Sequence, residues 1–283
     1  MILKLAAEFR PMVWGSENWV ISGYGERETR VSEGPLAGKT LNEVYGEQFP
    51  LLIKFIDAHD DLSLQVHPDD ALAAKRGIGL GKTEMWYVMN DGGHLLVGLK
   101  EKITPDSYAQ LVKDNRLVDV LERHDTSKGD IFFLPAGRIH AICGGTVLCE
   151  IQETSDNTYR IYDYGRLGLD GKPRQLHIEE SKEAIDYKVY RSYRTSYAHR
   201  PNHEVVAVRD PHFTTSVYDL TKPVELKTKG CGRFVAVMCV AGAGTVDGTP
   251  IAEGEALLVL DHDAPVVLAP AEGSTVKFLT THE

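Results

Sequence analysis

Residues 129–142 read GDIFFLPAGRIHAI, and this stretch decides the reading of the fold. Gly129 and Asp130 open a short apolar run, Pro135 and Gly137 supply a tight turn, and a second apolar run returns through His140. Strand, turn and returning strand together aim the His140 imidazole inward. Similar short apolar runs punctuated by glycine and proline occur at 51–56, 62–66, 85–89, 93–98 and 147–152. They predict many short antiparallel strands.

Helical signals are few. Thr104 before Pro105 predicts an N-cap with proline at the first helical position, leading into DSYAQLVKDNRLVDVLER with Leu111, Val112 and Leu121 at helix-like spacing. Pro68-Asp69-Asp70 opens a shorter candidate, and 178–185 another. The segment 187–200, YKVYRSYRTSYAHR, is polar and aromatic and reads as a linker or crossing segment before Pro201. Strands then follow at 205–208, 214–220, 234–240, 256–260 and 276–279, with GAGT at Gly242 as a turn. The expectation is a first domain at 1–186 and a small all-β domain at 187–283. GEALLVLDHDAPVVL from Gly254 faintly repeats the stretch from Gly129, with Pro265 where His140 stands. The chemistry is therefore expected in the first half.

At 283 residues, with 42% hydrophobic, the chain can build cores for two domains. Its 31 basic and 41 acidic residues give a formal charge of −10. That field repels nucleic acid and anionic membranes, so neither is expected as a partner. An anionic ligand must be held by a local basic cluster. Arg10 and Pro11 interrupt the N-terminal segment before it reaches signal-peptide length, and no later run approaches a membrane span. A cytoplasmic location is expected. Cys143, Cys149, Cys231 and Cys239 lack C-x-x-C spacing and read as reduced core thiols, with Cys143 or Cys149 the ones that could lie near the site.

Gln65-Val66-His67-Pro68 ends an apolar strand, and alternation places Gln65 and His67 on one face, about 7 Å apart. Glu84 opens the strand that continues through Met85, Trp86, Tyr87 and Val88, where a carboxylate is costly to bury unless paired or metal-bound. His67, Glu84 and His140 make a two-histidine, one-carboxylate set, with Gln65 as a weaker fourth oxygen donor. Such ligands suit zinc, iron, manganese or nickel, and an unfilled coordination position makes a centre catalytic.

The spacing Gly129-x5-Pro135-x-Gly137-x2-His140 matches the second cupin motif. QVHPDD at Gln65, KTEMWYV at Lys82, LPAGRIHAI at Leu134 and EIQETSDNTYRIYDYGR at Glu150 resemble, in order, the motifs of type I phosphomannose isomerases. The resemblance runs from about Trp14 to about Leu176. It implies a mainly β fold of two cupin-like jelly-roll barrels with a few short helices, and one zinc ion (Zn2+) per chain, with other divalent metals open. It implies Gln65, His67, Glu84 and His140 as ligands, Arg160 as a catalytic residue and Lys82 in the active site. The chain lacks an inserted helical domain and so resembles the short bacterial form.

The activity so implied interconverts mannose 6-phosphate and fructose 6-phosphate, small phosphosugars. An enediol lies between them, so the site must stabilise charge on O1 or O2 and move one proton. Arg160 could stabilise those oxygens or grip the phosphate. Near the ion the ammonium of Lys82 would be disfavoured, which suits acid/base work or phosphate attraction. Lys82 leads as the base, with Asp163, Glu153 and His59 behind it. Trp14 leads the aromatic candidates for a sugar wall, ahead of Trp86, Tyr159, Tyr162 and Tyr164. Asp163 and Arg166 could close the cavity or pair with each other, and the pair is the expectation. The alternatives are a non-haem iron cupin oxygenase, which needs neither Lys82 nor Arg160, and a non-enzymatic sugar-binding cupin.

Overall fold

The computed structural model describes residues 1–260 and 265–283; residues 261–264, inside the second copy of the faint repeat, lie outside the described residues. The chain is mainly β and divides into two compact units. One comprises Met1–Glu8, Trp19–Pro50 and Thr195–Glu283, the other Phe9–Asn18 and Leu51–Arg194. This division differs from the expected single cut after residue 186. The N-terminal strand Ile2–Ala6 pairs antiparallel with Ala256–Leu260, which ties the start of the chain to its last third.

The first unit is built on a ten-stranded antiparallel sheet whose main path runs Val205–Arg209, Thr214–Leu220, Val276–His282, Phe234–Val246, Ala256–Leu260, Ile2–Ala6 and Arg30–Val31. Its core gathers Tyr218, Val235, Val237, Leu257, Val259 and Phe278. The turn expected at Gly242 is not there. Residues 242–245 lie inside the thirteen-residue strand Phe234–Val246, which bends at a bulge after Cys239 rather than reversing.

The second unit holds two sheets. The seven-stranded one runs Arg194–Thr195, Ile131–Leu134, Glu84–Val88, Thr146–Glu153, Leu51–Ala58, Gly15–Ser22 and Glu8–Met12. The five-stranded one runs Tyr159–Tyr162, Leu64–Val66, His140–Ile142, His94–Leu99 and Leu121–Asp125. Period-two alternation decides what each face buries. From the five-stranded sheet, Leu95, Val97 and Ile142 pack with Ile56, Trp86, Phe132 and Leu148 of the seven-stranded sheet. The alternate residues Leu64, Val66, Leu96, Ala141, Tyr159 and Ile161 join a separate cluster with Tyr108, Leu117 and Val120. His140, Gln65 and Arg160 fall in the first register, between the sheets.

Three helices of this unit begin where their sequence signals predict. Asp69 caps Asp70–Arg76, Thr104 caps Pro105–Lys113, and the last helix is Ile178–Ala184. The Pro105 helix is shorter than its periodicity suggested. It stops at Lys113, Asn115 turns back at φ 55°, a 3-10 turn spans Leu117–Val120, and Leu121 opens a strand paired with His94–Leu99. Cross-strand pairing overrides the helical spacing of Leu121.

Two glycines fix close approaches. At Gly137, φ 86°, a Cβ would meet the Ala184 carbonyl oxygen at 2.9 Å. At Gly98, φ 77°, a Cβ would stand 2.1 Å from the ring of Tyr193. The Tyr193 hydroxyl donates to the Leu99 carbonyl at 2.7 Å and accepts from the Leu99 amide at 3.0 Å. Tyr193 lies in the segment expected as a linker, yet it is packed on the sheet.

Candidate metal centre and its cavity

The donors converge through sheet register. Gln65 lies opposite His140 on one side and opposite Arg160 on the other, so the three side chains share one face. His67 follows directly after the strand end at Val66, and the Gly137 amide donates to its carbonyl at 2.9 Å. That bond ties the turn carrying His140 to the loop carrying His67. In the seven-stranded sheet Glu84 lies opposite Gln152 and Leu134, while Glu150 lies opposite Lys54 and Trp86. Glu84 and Trp86, two residues apart on one strand, share the face that turns toward His140.

His140 Nε2 is 3.3 Å from Glu84 Oε1, and His67 Nε2 is 3.5 Å from Glu84 Oε2. All three residues are buried. His67 Nδ1 lies 2.8 Å from the Asn157 carbonyl and His140 Nδ1 lies 2.8 Å from the Arg138 carbonyl. A carbonyl can only accept, so Nδ1 of each ring carries the proton and Nε2 presents a bare lone pair to the centre. Among the described residues His67 Nε2 and both Glu84 oxygens have no hydrogen-bond partner. Lys82 offsets only part of the desolvation of this buried carboxylate, and a cation at the centre would offset more of it. The donor set fits a divalent metal on that ground, and its three ligand atoms lie within 4.8 Å of one another. Gln65 Nε2 lies 3.2 Å from His140 Nε2; rotating the amide by half a turn presents its oxygen instead.

Electrostatics follow from burial. Desolvation lowers His140 to about 4 and pushes His67 well below the usual imidazole range, with Lys82 adding to both. Both rings are neutral at pH 7, the form a metal requires. Burial and the neighbouring Glu150 raise Glu84 to about 7. For Glu150 burial acts upward too, but Lys54, Lys82 and the bond from Trp86 outweigh it and hold the carboxyl well below the usual range.

A cavity opens beside the donors. Trp14, Gln65, Lys82 and Arg160, all expected at the site, line it. Lys82 precedes the strand Glu84–Val88, is buried, and brings Nζ to 3.3 Å from Glu84 Oε2 and 4.0 Å from Glu150 Oε1. Arg160 Nε donates to Ser63 at 3.3 Å and Nη1 to the Gln175 carbonyl at 3.1 Å. The other base candidates do not line the cavity. His59 is exposed beside Asp57, Glu153 accepts from the Thr83 amide, and Asp163 is held by Arg166 and Arg174. Trp86, Tyr159, Tyr162 and Tyr164 also stand outside the lining. Trp86 is packed edge-on against His140 and donates to Glu150 at 2.9 Å.

Sequence reading missed Lys54, Glu150, Arg10, Glu17, Asp156 and Arg174, which line the same cavity. Lys54 left a signal: it is the one charge in the apolar run LLIKFI. It is buried and pairs with Glu150 at 2.9 Å. Arg10, Lys54, Lys82, Arg160 and Arg174 supply the local basic cluster that a chain of charge −10 needs for an anion. All four cysteines are free, and neither Cys143 nor Cys149 lines the cavity. Among the described residues no helix is long and apolar enough to cross a membrane.

Known proteins resemble this chain in sequence and fold. The catalytic domain of type I phosphomannose isomerase, as a family model, matches residues 28–101, the stretch that carries Gln65, His67, Lys82 and Glu84. A Bacillus subtilis protein named "Probable mannose-6-phosphate isomerase GmuF" is 42% identical over 183 residues, 60% of this chain. The match spans 58% of that relative's length. The mannose-6-phosphate isomerase of Streptococcus mutans is 32% identical over 244 residues, covering 81% of this chain and 77% of that one. The crystal structure of the mannose 6-phosphate isomerase from Bacillus subtilis superposes with a TM-score of 0.90 at 25% identity, over 100% of this chain and 99% of that one. With four fifths of its length aligned to a named isomerase, the chain belongs to the type I phosphomannose isomerase family.

Proposed function

We propose that this chain interconverts mannose 6-phosphate and fructose 6-phosphate as a metal-dependent aldose–ketose isomerase. In this reading one divalent ion, zinc, is held by His67, Glu84, His140 and Gln65. One observation carries it: three buried ligand atoms of His67 and Glu84, none of them hydrogen-bonded among the described residues, meet His140 Nε2, and their neighbours Gln65 and Lys82 line a cavity that also holds Arg10, Lys54, Arg160 and Arg174. When bound, the ion supplies a Lewis acid that polarises the sugar carbonyl.

The chain's own groups do the rest. Lys82 is the side chain that carries the proton between C1 and C2, with Glu150 beside it to balance its charge. Arg160, in one cross-strand row with Gln65 and His140, stabilises the negative charge that develops on O1 and O2. Trp14 gives the sugar an apolar wall. We read the two facing sheets of this unit as one cupin barrel and the ten-stranded sheet as the other, in a cytoplasmic protein whose thiols stay reduced.

An iron oxygenase on the same ligand triad would have no use for Lys54, Lys82 and Arg160 around the cavity, and a sugar sensor would have none for an open Lewis-acid position. The test is a coupled assay of mannose 6-phosphate conversion before and after chelation, with zinc, cobalt and manganese added back. Turnover that survives complete removal of metal would sink the reading.

A further inference from the structure

Asp163 ends the strand Tyr159–Tyr162 and binds two arginines from opposite ends of one hairpin. Arg166 donates Nε and Nη2 to Oδ1 at 3.1 and 2.9 Å, and Arg174 donates Nε to Oδ2 at 2.7 Å and Nη2 to Oδ1 at 2.5 Å. Between them the hairpin closes through the Leu167 and Pro173 bridge and the bond from the Gly168 amide to the Lys172 carbonyl. The expected pair of Asp163 with Arg166 is therefore half of a clamp.

The two arginines differ in what they face. Arg174 lines the cavity and Arg166 does not. With Nε and Nη2 committed to Asp163, the Nη1 edge of Arg174 has no hydrogen-bond partner among the described residues. A guanidinium gripped on one side by a carboxylate is fixed in plane, so its other edge is a preorganised donor. The charge balance also leaves room for an anion. Two carboxylates, Asp163 and Asp156, stand among three guanidiniums, Arg160, Arg166 and Arg174, so the group carries a surplus of one positive charge. Burial and the nearby Arg174 lower the Arg160 guanidinium although Asp163 and Asp156 act the other way.

We propose that Arg174, aimed by Asp163, takes the phosphate of the phosphosugar, leaving Arg160 free for the sugar oxygens. This rests on the isomerase reading for the identity of the ligand but not for the existence of the anion site. Arg174 is the binding residue, and Asp163 is a positioning residue that acts through it.

The test titrates inorganic phosphate into the full chain by calorimetry and measures kcat and KM for mannose 6-phosphate. Arg174→Ala should weaken phosphate binding by about tenfold or more and raise KM by a similar factor, with kcat within about threefold, because phosphate contacts are made equally in ground and transition states. Asp163→Asn should shift KM in the same direction by a smaller factor. Phosphate affinity unchanged in Arg174→Ala overturns the proposal, as does a fall in kcat at constant KM. Thermal unfolding checks that each variant is folded, and Arg174→Ala carries the test alone if Asp163→Asn is not. Arg174-dependent phosphate binding in a protein that turns over no phosphosugar would support the anion site while removing the isomerase reading.

Discussion

Lys54 and Glu150 stand directly opposite one another on adjacent strands and form an ion pair at 2.9 Å with both side chains buried. Both line the cavity yet are almost wholly buried, so each offsets much of the other's desolvation, with Trp86 and Lys82 also acting on Glu150. Lys54→Met should cost up to about 3–5 kcal/mol in urea unfolding, because it leaves the buried Glu150 carboxylate with only Trp86 and Lys82 to offset its charge. Lys54→Met with Glu150→Met should cost less than the two singles added, by about 0.5–3 kcal/mol. Additive losses would mean that the two charges do not depend on each other.

His140→Ala should remove metal and turnover together. A readout free of activity is thermal unfolding with added zinc: a thousandfold excess over Kd stabilises a binding chain by about 4 kcal/mol. The wild-type chain should gain and the variant should not. Equal gains in both would move the metal elsewhere.

Arg160→Ala should keep its metal content and lose about a hundredfold to a thousandfold in kcat, the usual loss for a donor aimed at developing negative charge. Elemental analysis beside steady-state kinetics checks both halves. Full turnover would refute the role.

Asp163 gives the clearest acid dependence. Burial acts to raise its carboxyl, but the bonds from Arg174 and Arg166 prevail and hold it below the ordinary 3.8. A carboxylate with a depressed folded pKa contributes stability fully above its unfolded value and loses it as pH falls through the folded one. The gap in urea stability between wild type and Asp163→Asn should therefore be constant from about pH 7 to about pH 5 and close below about pH 3.8. A gap that persists at about pH 2 would show that the carboxylate's charge is not what stabilises the clamp.

The convergence of the candidate ligands was legible because each sits on a sharp local pattern: a strand ending in Gln65-Val66-His67-Pro68, a carboxylate opening an apolar strand, and a histidine after a proline and glycine turn. Lys54 and Glu150 were not, since each alone reads as one polar residue in a core strand. Only the register between strands 96 positions apart in sequence makes them a pair. The same non-local pairing explains where the fold differs from the sequence expectation. Leu121 was drawn out of a helix by His94–Leu99, residues 242–245 were kept in strand by partners on both sides, and the N-terminal strand was claimed by Ala256–Leu260.

Tyr193 occupies the volume that a side chain at position 98 would fill, and its ring also lies 4.8 Å from the Arg138 guanidinium carbon. Arg138 in turn offers its carbonyl to His140. A recombinant fragment cut after residue 186 would lose this plug and uncover the support of a candidate ligand, whereas one extended through Arg194 would retain it. The residues that look most like a tether are thus a wedge behind the histidine.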